Sequence, residues 1–160
     1  MTIKVGERIP SVTLQRMTAD GVKDVSTDEI FERKRIVLFA VPGAFTRTCS
    51  AKHLPGFVAN ADAIKAKGVD AIVCVSVNDA YVMDAWGKAQ AAGDKVLMLA
   101  DGSGKFAEAL GVALDLEERG LGMRSRRFSM IVEDGVVKSL NLEEATAVEV
   151  SGAEALLAQL

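Results

Sequence analysis

The stretch Ile36-Val-Leu-Phe-Ala40-Val-Pro42-Gly43-Ala-Phe45-Thr46-Arg-Thr48-Cys49-Ser-Ala-Lys-His53-Leu-Pro-Gly-Phe57 changes character once, at Pro42-Gly43. Before that point, Ile36 to Ala40 is short, β-branched and apolar on both faces, the pattern of a central strand in a covered sheet. Pro42 and Gly43 stop the strand, and Thr46 or Thr48 is placed to cap a following helix, so that Cys49 falls in its first turn. A thiol there lies beside unpaired backbone N–H groups and the positive end of the helix dipole. Both favour negative charge on the sulfur, which marks Cys49 as the candidate reactive residue.

Outward from this segment the same alternation continues, and it predicts an α/β fold with a largely buried sheet. Ala71 to Val77 reads as a second central strand, and Leu97–Ala100 and Phe128–Val132 as further ones. Phe128–Val132 passes through Asp134-Gly135 into Val136–Leu140, and Asp-Gly predicts a tight hairpin because its residues tolerate positive φ. Between the strands, Asn78 or Asp79 can cap a helix running to Ala92 before Gly93, and Asp101 or Ser103 one from Gly104 to Leu110 before Gly111. Gly152 to Leu160 predicts a terminal helix with Ala153, Leu156, Leu157 and Leu160 on its apolar face. Asp115 to Arg126, with Gly120 and Gly122, reads as a loop bordering a pocket. Trp86 and Tyr81 read as packing residues of a helix face.

A chain of 160 residues supplies one substantial core, so residues 1–160 are expected to form one domain. Apolar residues at 49%, charged residues at 26% and a net charge of -3 exclude a disordered or collagen-like composition. Arg124, Arg126 and Arg127 form too short a cluster for a nucleic-acid stripe. The longest apolar run, Ile36 to Val41, is too short to span a membrane, and Met1-Thr2-Ile3-Lys4 lacks the apolar stretch of a signal peptide, so the cytoplasm is the expected location. Two cysteines, Cys49 and Cys74, do not build a disulfide framework. With one histidine and no Cys-x-x-Cys pair, no metal or cofactor is expected.

An ionised sulfur is not enough for fast chemistry. Lowering a thiol's pKa from about 8.5 to about 6 raises its thiolate fraction at pH 7 roughly thirtyfold, but a Brønsted slope near 0.45 removes about thirteenfold of intrinsic nucleophilicity. Donors that orient the substrate and stabilise the departing group must supply the rest. Thr46, three residues before Cys49, offers a hydroxyl, and an arginine offers a fixed fork of N–H groups.

Pro42-Gly-Ala-Phe-Thr46-Arg-Thr-Cys49 resembles the Pro-x-x-x-Thr-x-x-Cys signature of peroxiredoxins. Ser50, His53-Leu-Pro-Gly-Phe57, Val75-Ser-Val-Asn-Asp79 and Arg127-Phe-Ser-Met130 are similar to the type II, or peroxiredoxin-5-like, subgroup over nearly the whole chain. The resemblance implies a thioredoxin-like fold, a central mixed sheet flanked by helices, and a homodimer. It places the peroxidatic cysteine, signature threonine and proline, and active-site arginine on Cys49, Thr46, Pro42 and Arg127. It implies a hydroperoxide substrate and an external thiol reductant, glutathione, glutaredoxin or thioredoxin, because subgroup members with an internal disulfide carry a second cysteine near the C-terminus, whereas this chain has none after Cys74. Arg47 departs from the proline that many relatives carry there.

Bland readings stand beside these. Cys74 alternates within an apolar strand, which suits a core residue as well as a partner that resolves Cys49. His53, four residues after Cys49, shares its helix face as a pocket-lining residue or as half of a Cys-His nucleophile pair. Arg127 alternates with Phe128 and Met130, so it and Ser129 face the opposite side of the sheet from those two. Gly43, Phe45, Thr48 and Leu121 are candidate pocket residues, and Phe45, Leu121 and Met123 a candidate apolar collar. A peroxide-sensing interaction module and a Cys-His hydrolase are the competing functions.

Overall fold

The computed structural model describes Met1 to Leu160. Seven strands form one mixed sheet: β1 (Thr13–Thr18), β2 (Gly21–Ser26), β3 (Arg35–Ala40), β4 (Ala71–Ser76), β5 (Leu97–Ala100), β8 (Phe128–Glu133) and β9 (Val136–Leu142), in the order β2-β1-β5-β4-β3-β8-β9. β3, β4 and β5 are parallel, and β8 returns antiparallel to β3 with Ala40 opposite Phe128. Because the central strands are apolar on both sides, each residue step alternates between two cores. Val37, Phe39, Val41, Ile72, Cys74 and Ile131 face one core, with α2 (Leu54–Ala59), α3 (Ala61–Lys65), α4 (Ala80–Ala89) and α6 (Ala153–Leu157) packed over it. Ile36, Leu38, Ala40, Val73, Phe128 and Met130 face the other, covered by α1 (Thr27–Phe31) and α5 (Lys105–Leu110). Arg127 therefore leaves the end of β8 on the α2 side, as the alternation predicts.

The expected caps form where their chemistry is local. Asp79 accepts from the Val82 N–H at 2.8 Å, and the Asp101 carboxylate accepts from the N–H groups of Phe106 and Ala107 at the start of α5. Asp134 and Gly135 take φ of 47° and 78°, the left-handed pair that a tight β8–β9 turn requires.

Three expectations are corrected, and one segment is added. Asp115 to Arg126 is not a loop: β6 (Ala113–Leu116), a turn of 3₁₀ helix (Glu117–Arg119) and β7 (Gly122–Ser125) make a separate two-stranded hairpin. Gly120 and Gly122 interrupt the segment in sequence, and the strands are joined by the backbone pairing of Ala113–Leu116 with Gly122–Ser125. Neither Thr46 nor Thr48 caps the cysteine helix; Thr48 already has helical dihedrals and makes no capping bond, while Thr46 turns back to Gly43. Tyr81 does not pack, being 70% exposed, whereas Trp86 is buried. Finally, Met1 to Phe31 carries β1, β2 and α1, for which the sequence offers no pattern: the β1–β2 ribbon is half polar on both faces.

Candidate active site

The cysteine helix begins at Arg47 and is widened from Cys49 to His53 into a π turn, with the Leu54 N–H bonded to the Cys49 carbonyl. Pro55 explains the widening. It has no N–H to give to Ala51, so the α ladder is interrupted and the turn relaxes before α2 resumes. Phe57 of α2 stacks on Phe39 of β3 at 4.1 Å and 9°, which pins this helix to the sheet and is worth about 1 kcal/mol beyond the area buried. The preceding turn is equally fixed. Phe45 holds φ at 62°, a conformation costing about 1–2 kcal/mol, and the turn is held by Asn78, whose Oδ1 accepts from the Ala44 N–H at 2.9 Å and from Ser76 Oγ at 2.6 Å.

These elements bring Cys49, His53 and Arg127 together, all buried. Arg127 Nη2 donates to Cys49 Sγ at 3.2 Å, Nη1 to His53 Nδ1 at 2.9 Å, and Nε to the Thr146 carbonyl at 2.9 Å. His53 Nε2 lies 2.9 Å from the Ser151 carbonyl. A carbonyl only accepts and a guanidinium only donates, so His53 is neutral with its proton on Nε2. It is wedged between Phe39 and Phe57. Burial is the main force pushing its pKa from 6.5 down to about 4; the Ser151 carbonyl and Glu143 oppose, and the Arg127 charge assists. Arg127 has no carboxylate partner, since the ion pairs of the molecule are Arg35–Glu133 and Lys88–Asp84.

The remaining candidates sit around this cluster. Pro42 and Gly43 are buried, and the Thr46 hydroxyl donates to the Gly43 carbonyl at 2.6 Å. Arg124 of the unexpected hairpin rests on Gly43, where an added Cβ would meet its Nη1 at 3.1 Å and Thr46 Cγ2 at 3.0 Å. Arg124 also bonds the Leu121 and Val77 carbonyls, so Leu121 joins the site only through it. Thr48 is half-buried, and Phe45 and Met123 are exposed, so no closed apolar collar forms. Arg47 is exposed as well. Sequence reasoning missed Asn78 as the anchor of the turn and the carbonyls of Thr146 and Ser151, which no side-chain pattern reveals. Pro55, within the quoted helix, was the available signal for the π turn.

The hydrolase alternative fails on this geometry. Both nitrogens of His53 are engaged elsewhere, and the sulfur's partner is a cation that takes no proton. A cleft of about 410 Å³ at Arg8, Thr27, Asp28 and Asp134 is lined by no cysteine, serine or histidine.

His53 also sets a pH dependence of stability. The unfolded chain binds a proton near 6.5 while the folded protein resists until about 4, so stability is complete above the higher value and falls as pH drops through this window. Denaturant melts should show a loss of about 2 kcal/mol between about pH 7 and about pH 5. His53→Gln should flatten that loss; an unchanged slope in the variant would assign it to other groups.

A family model described as Redoxin matches residues 4–157. The chain is 49% identical to peroxiredoxin-2E, chloroplastic, of Arabidopsis thaliana, over 99% of its own length and 70% of that protein's. It is 53% identical to peroxiredoxin-2E-2, chloroplastic, of Oryza sativa subsp. japonica, covering 99% and 73%. Among solved structures, reduced Prx3 of Vibrio vulnificus in complex with h2o2 matches with a TM-score of 0.95 at 51% identity, over 99% of each chain.

Proposed function

The chain belongs to the Redoxin family and is a peroxiredoxin, a thiol-dependent peroxidase, and on that premise we propose that Cys49 is its nucleophile, in a one-cysteine cycle closed by an external thiol. One observation carries the assignment: the Arg127 guanidinium, buried without a carboxylate, points a donor at the Cys49 sulfur at 3.2 Å. A buried guanidinium that reaches the sulfur also presents its N–H groups to a peroxide oxygen brought against that sulfur.

The thiolate attacks the near oxygen of the hydroperoxide along the O–O bond. A sulfur lone pair forms the S–O bond, the O–O pair leaves with the far oxygen, and a proton from solvent completes water or an alcohol; sulfur is oxidised by two electrons and the peroxide reduced by two. Arg127 has N–H groups beyond those already bonded, and these hold the oxygens as charge moves onto them. The Thr46 proton is committed to Gly43, so its oxygen serves as an acceptor for the substrate O–H. Pro42 shields the sulfenic acid that results. Hydrogen peroxide and organic hydroperoxides are both substrates in this reading, and the Vibrio vulnificus relative was crystallised with the former.

Cys74 supports the external reductant. It lies mid-strand in β4, fully buried; burial first, and the charge of Cys49 second, push its thiol well up, with Arg127 opposing. A thiol held neutral is a poor resolving nucleophile. Glutathione, glutaredoxin or thioredoxin then reduces the sulfenic acid from outside. The same reading makes the protein a cytoplasmic homodimer, with exposed Phe45 and Met123 beside the site as apolar surface for the second copy. Mass spectrometry after one equivalent of peroxide, with and without glutathione, tests both points. A glutathione adduct on Cys49 and a dimer mass in native spectra are expected; a Cys49–Cys74 bond would overturn the one-cysteine cycle, arrest after one equivalent with reducing thiol present would favour a sensor, and a single-chain mass would remove the dimer.

A further inference from the structure

Behind Arg127 sits a buried carboxylate that the peroxide chemistry leaves unused. Glu143, just past β9, is 4% exposed. Its Oε2 accepts from the backbone N–H groups of Glu149, Val150 and Ser151, each at 2.8 Å, and from Ser151 Oγ at 2.7 Å. The backbone of the same residue is fastened to the start of β8: its N–H donates to the Arg127 carbonyl at 3.0 Å, and its carbonyl accepts from Arg126 Nη2 at 2.9 Å. Residues 143–151 are therefore closed into a ring, tied to β8 at one end and gathered by the carboxylate at the other.

Two carbonyls of that ring hold the site. Thr146 accepts from Arg127 Nε, and Ser151 accepts from His53 Nε2. We propose that Glu143 is a positioning residue of the peroxidase: its carboxylate fixes residues 143–151 so that the Thr146 and Ser151 carbonyls hold Arg127 and His53 in the orientation that sets the guanidinium on Cys49. The inference rests on the reading of Arg127 as the group that orients the peroxide.

The physical chemistry of the ring supports it. A loop with almost no regular structure would otherwise hold its carbonyls loosely, and a donor displaced by about 1 Å can cost a hundredfold in rate. Four donors on one oxygen form an anion nest that an uncharged side chain cannot hold as firmly. Burial alone would push the Glu143 carboxyl up, but the Ser151 hydroxyl and the three N–H groups outweigh it and keep it below the usual carboxylate range. The groups that face His53 are the Arg127 and Glu143 charges, the Ser151 carbonyl and the uncharged rings of Phe39 and Phe57. With the ring intact, the imidazole has one tautomer available.

The test uses the full chain as Glu143→Ala and Glu143→Gln beside the unaltered protein, with two readouts. The first is the second-order rate of Cys49 oxidation by hydrogen peroxide, followed through the single tryptophan, since Trp86 Nε1 donates to Ser50 Oγ at 2.9 Å beside the cysteine. The second is nitrogen NMR of the single histidine in the reduced protein without peroxide. Glu143→Ala is expected to lower the rate on the order of a hundredfold and to turn the fixed Nε2–H tautomer of His53 into an exchanging mixture. Glu143→Gln keeps an acceptor oxygen and loses the charge, so a fall of about tenfold is expected. If the alanine variant does not fold, the glutamine variant decides alone. A folded variant with a native rate overturns the proposal, and so does a slowed one in which the His53 tautomer is unchanged. A native rate in Arg127→Met would instead remove the reading of Arg127 while leaving the His53 comparison intact.

Discussion

Replacing Cys49 by serine is expected to bring peroxide consumption down to the level of the buffer, a fall of a thousandfold or more. The reason is chemical rather than steric. A serine hydroxyl is un-ionised near neutral pH, and an oxygen that attacked the O–O bond would yield another peroxide, so no reduction would result. Sulfur differs because it accepts oxygen as a stable sulfenic acid. The substitution is nearly isosteric in a site where the sulfur is fully buried, so the variant should fold, which near-native circular dichroism would confirm. Cys74→Ser is the matched control and should keep the first oxidation step, because its sulfur faces the core from mid-strand. Peroxide consumption that survives Cys49→Ser would refute the assignment of the nucleophile.

The second large effect belongs to Arg127. Arg127→Met keeps the volume and removes the cation with its bonds to Cys49, His53 and Thr146. Loss of donors aimed at a developing negative charge is expected to lower the rate of Cys49 oxidation by on the order of a hundredfold to a thousandfold. Arg127→Lys retains the charge but replaces a planar fork by a single ammonium, which cannot reach three partners at once, so most of the loss should remain. Stopped-flow oxidation at several peroxide concentrations distinguishes the effects. A lysine variant at full speed would mean that charge alone is needed, and a methionine variant at full speed would remove Arg127 from the chemistry.

These two residues also show how unevenly the site was legible. The helix-entrance position of Cys49 could be read from local rules, because a strand stop, a helix start and a thiol lie within a few residues of one another. Arg127 could be assigned a face of the sheet from the period of two along Phe128 to Met130, but not a partner. His53 shared a helix face with Cys49 as its spacing implied, yet its partner is Arg127, 74 residues away in sequence. Asn78 read as a helix cap and instead anchors the turn before the cysteine. Residues 115–126 read as a loop because Gly120 and Gly122 read as turn residues, whereas the backbone pairing of Ala113–Leu116 with Gly122–Ser125 makes a hairpin of the segment.

By itself the sequence determined the alternation of strands and helices, the β8–β9 turn at Asp134-Gly135, and the position of Cys49 at a helix entrance, because each depends on contacts between near neighbours and on which residues avoid water. Only the tertiary structure decided the protonation of His53, the aim of the Arg127 guanidinium and the ring of residues 143–151. Those depend on backbone carbonyls and N–H groups brought together from distant segments, and every residue carries the same backbone groups, so nothing in the order of side chains marks which of them will meet.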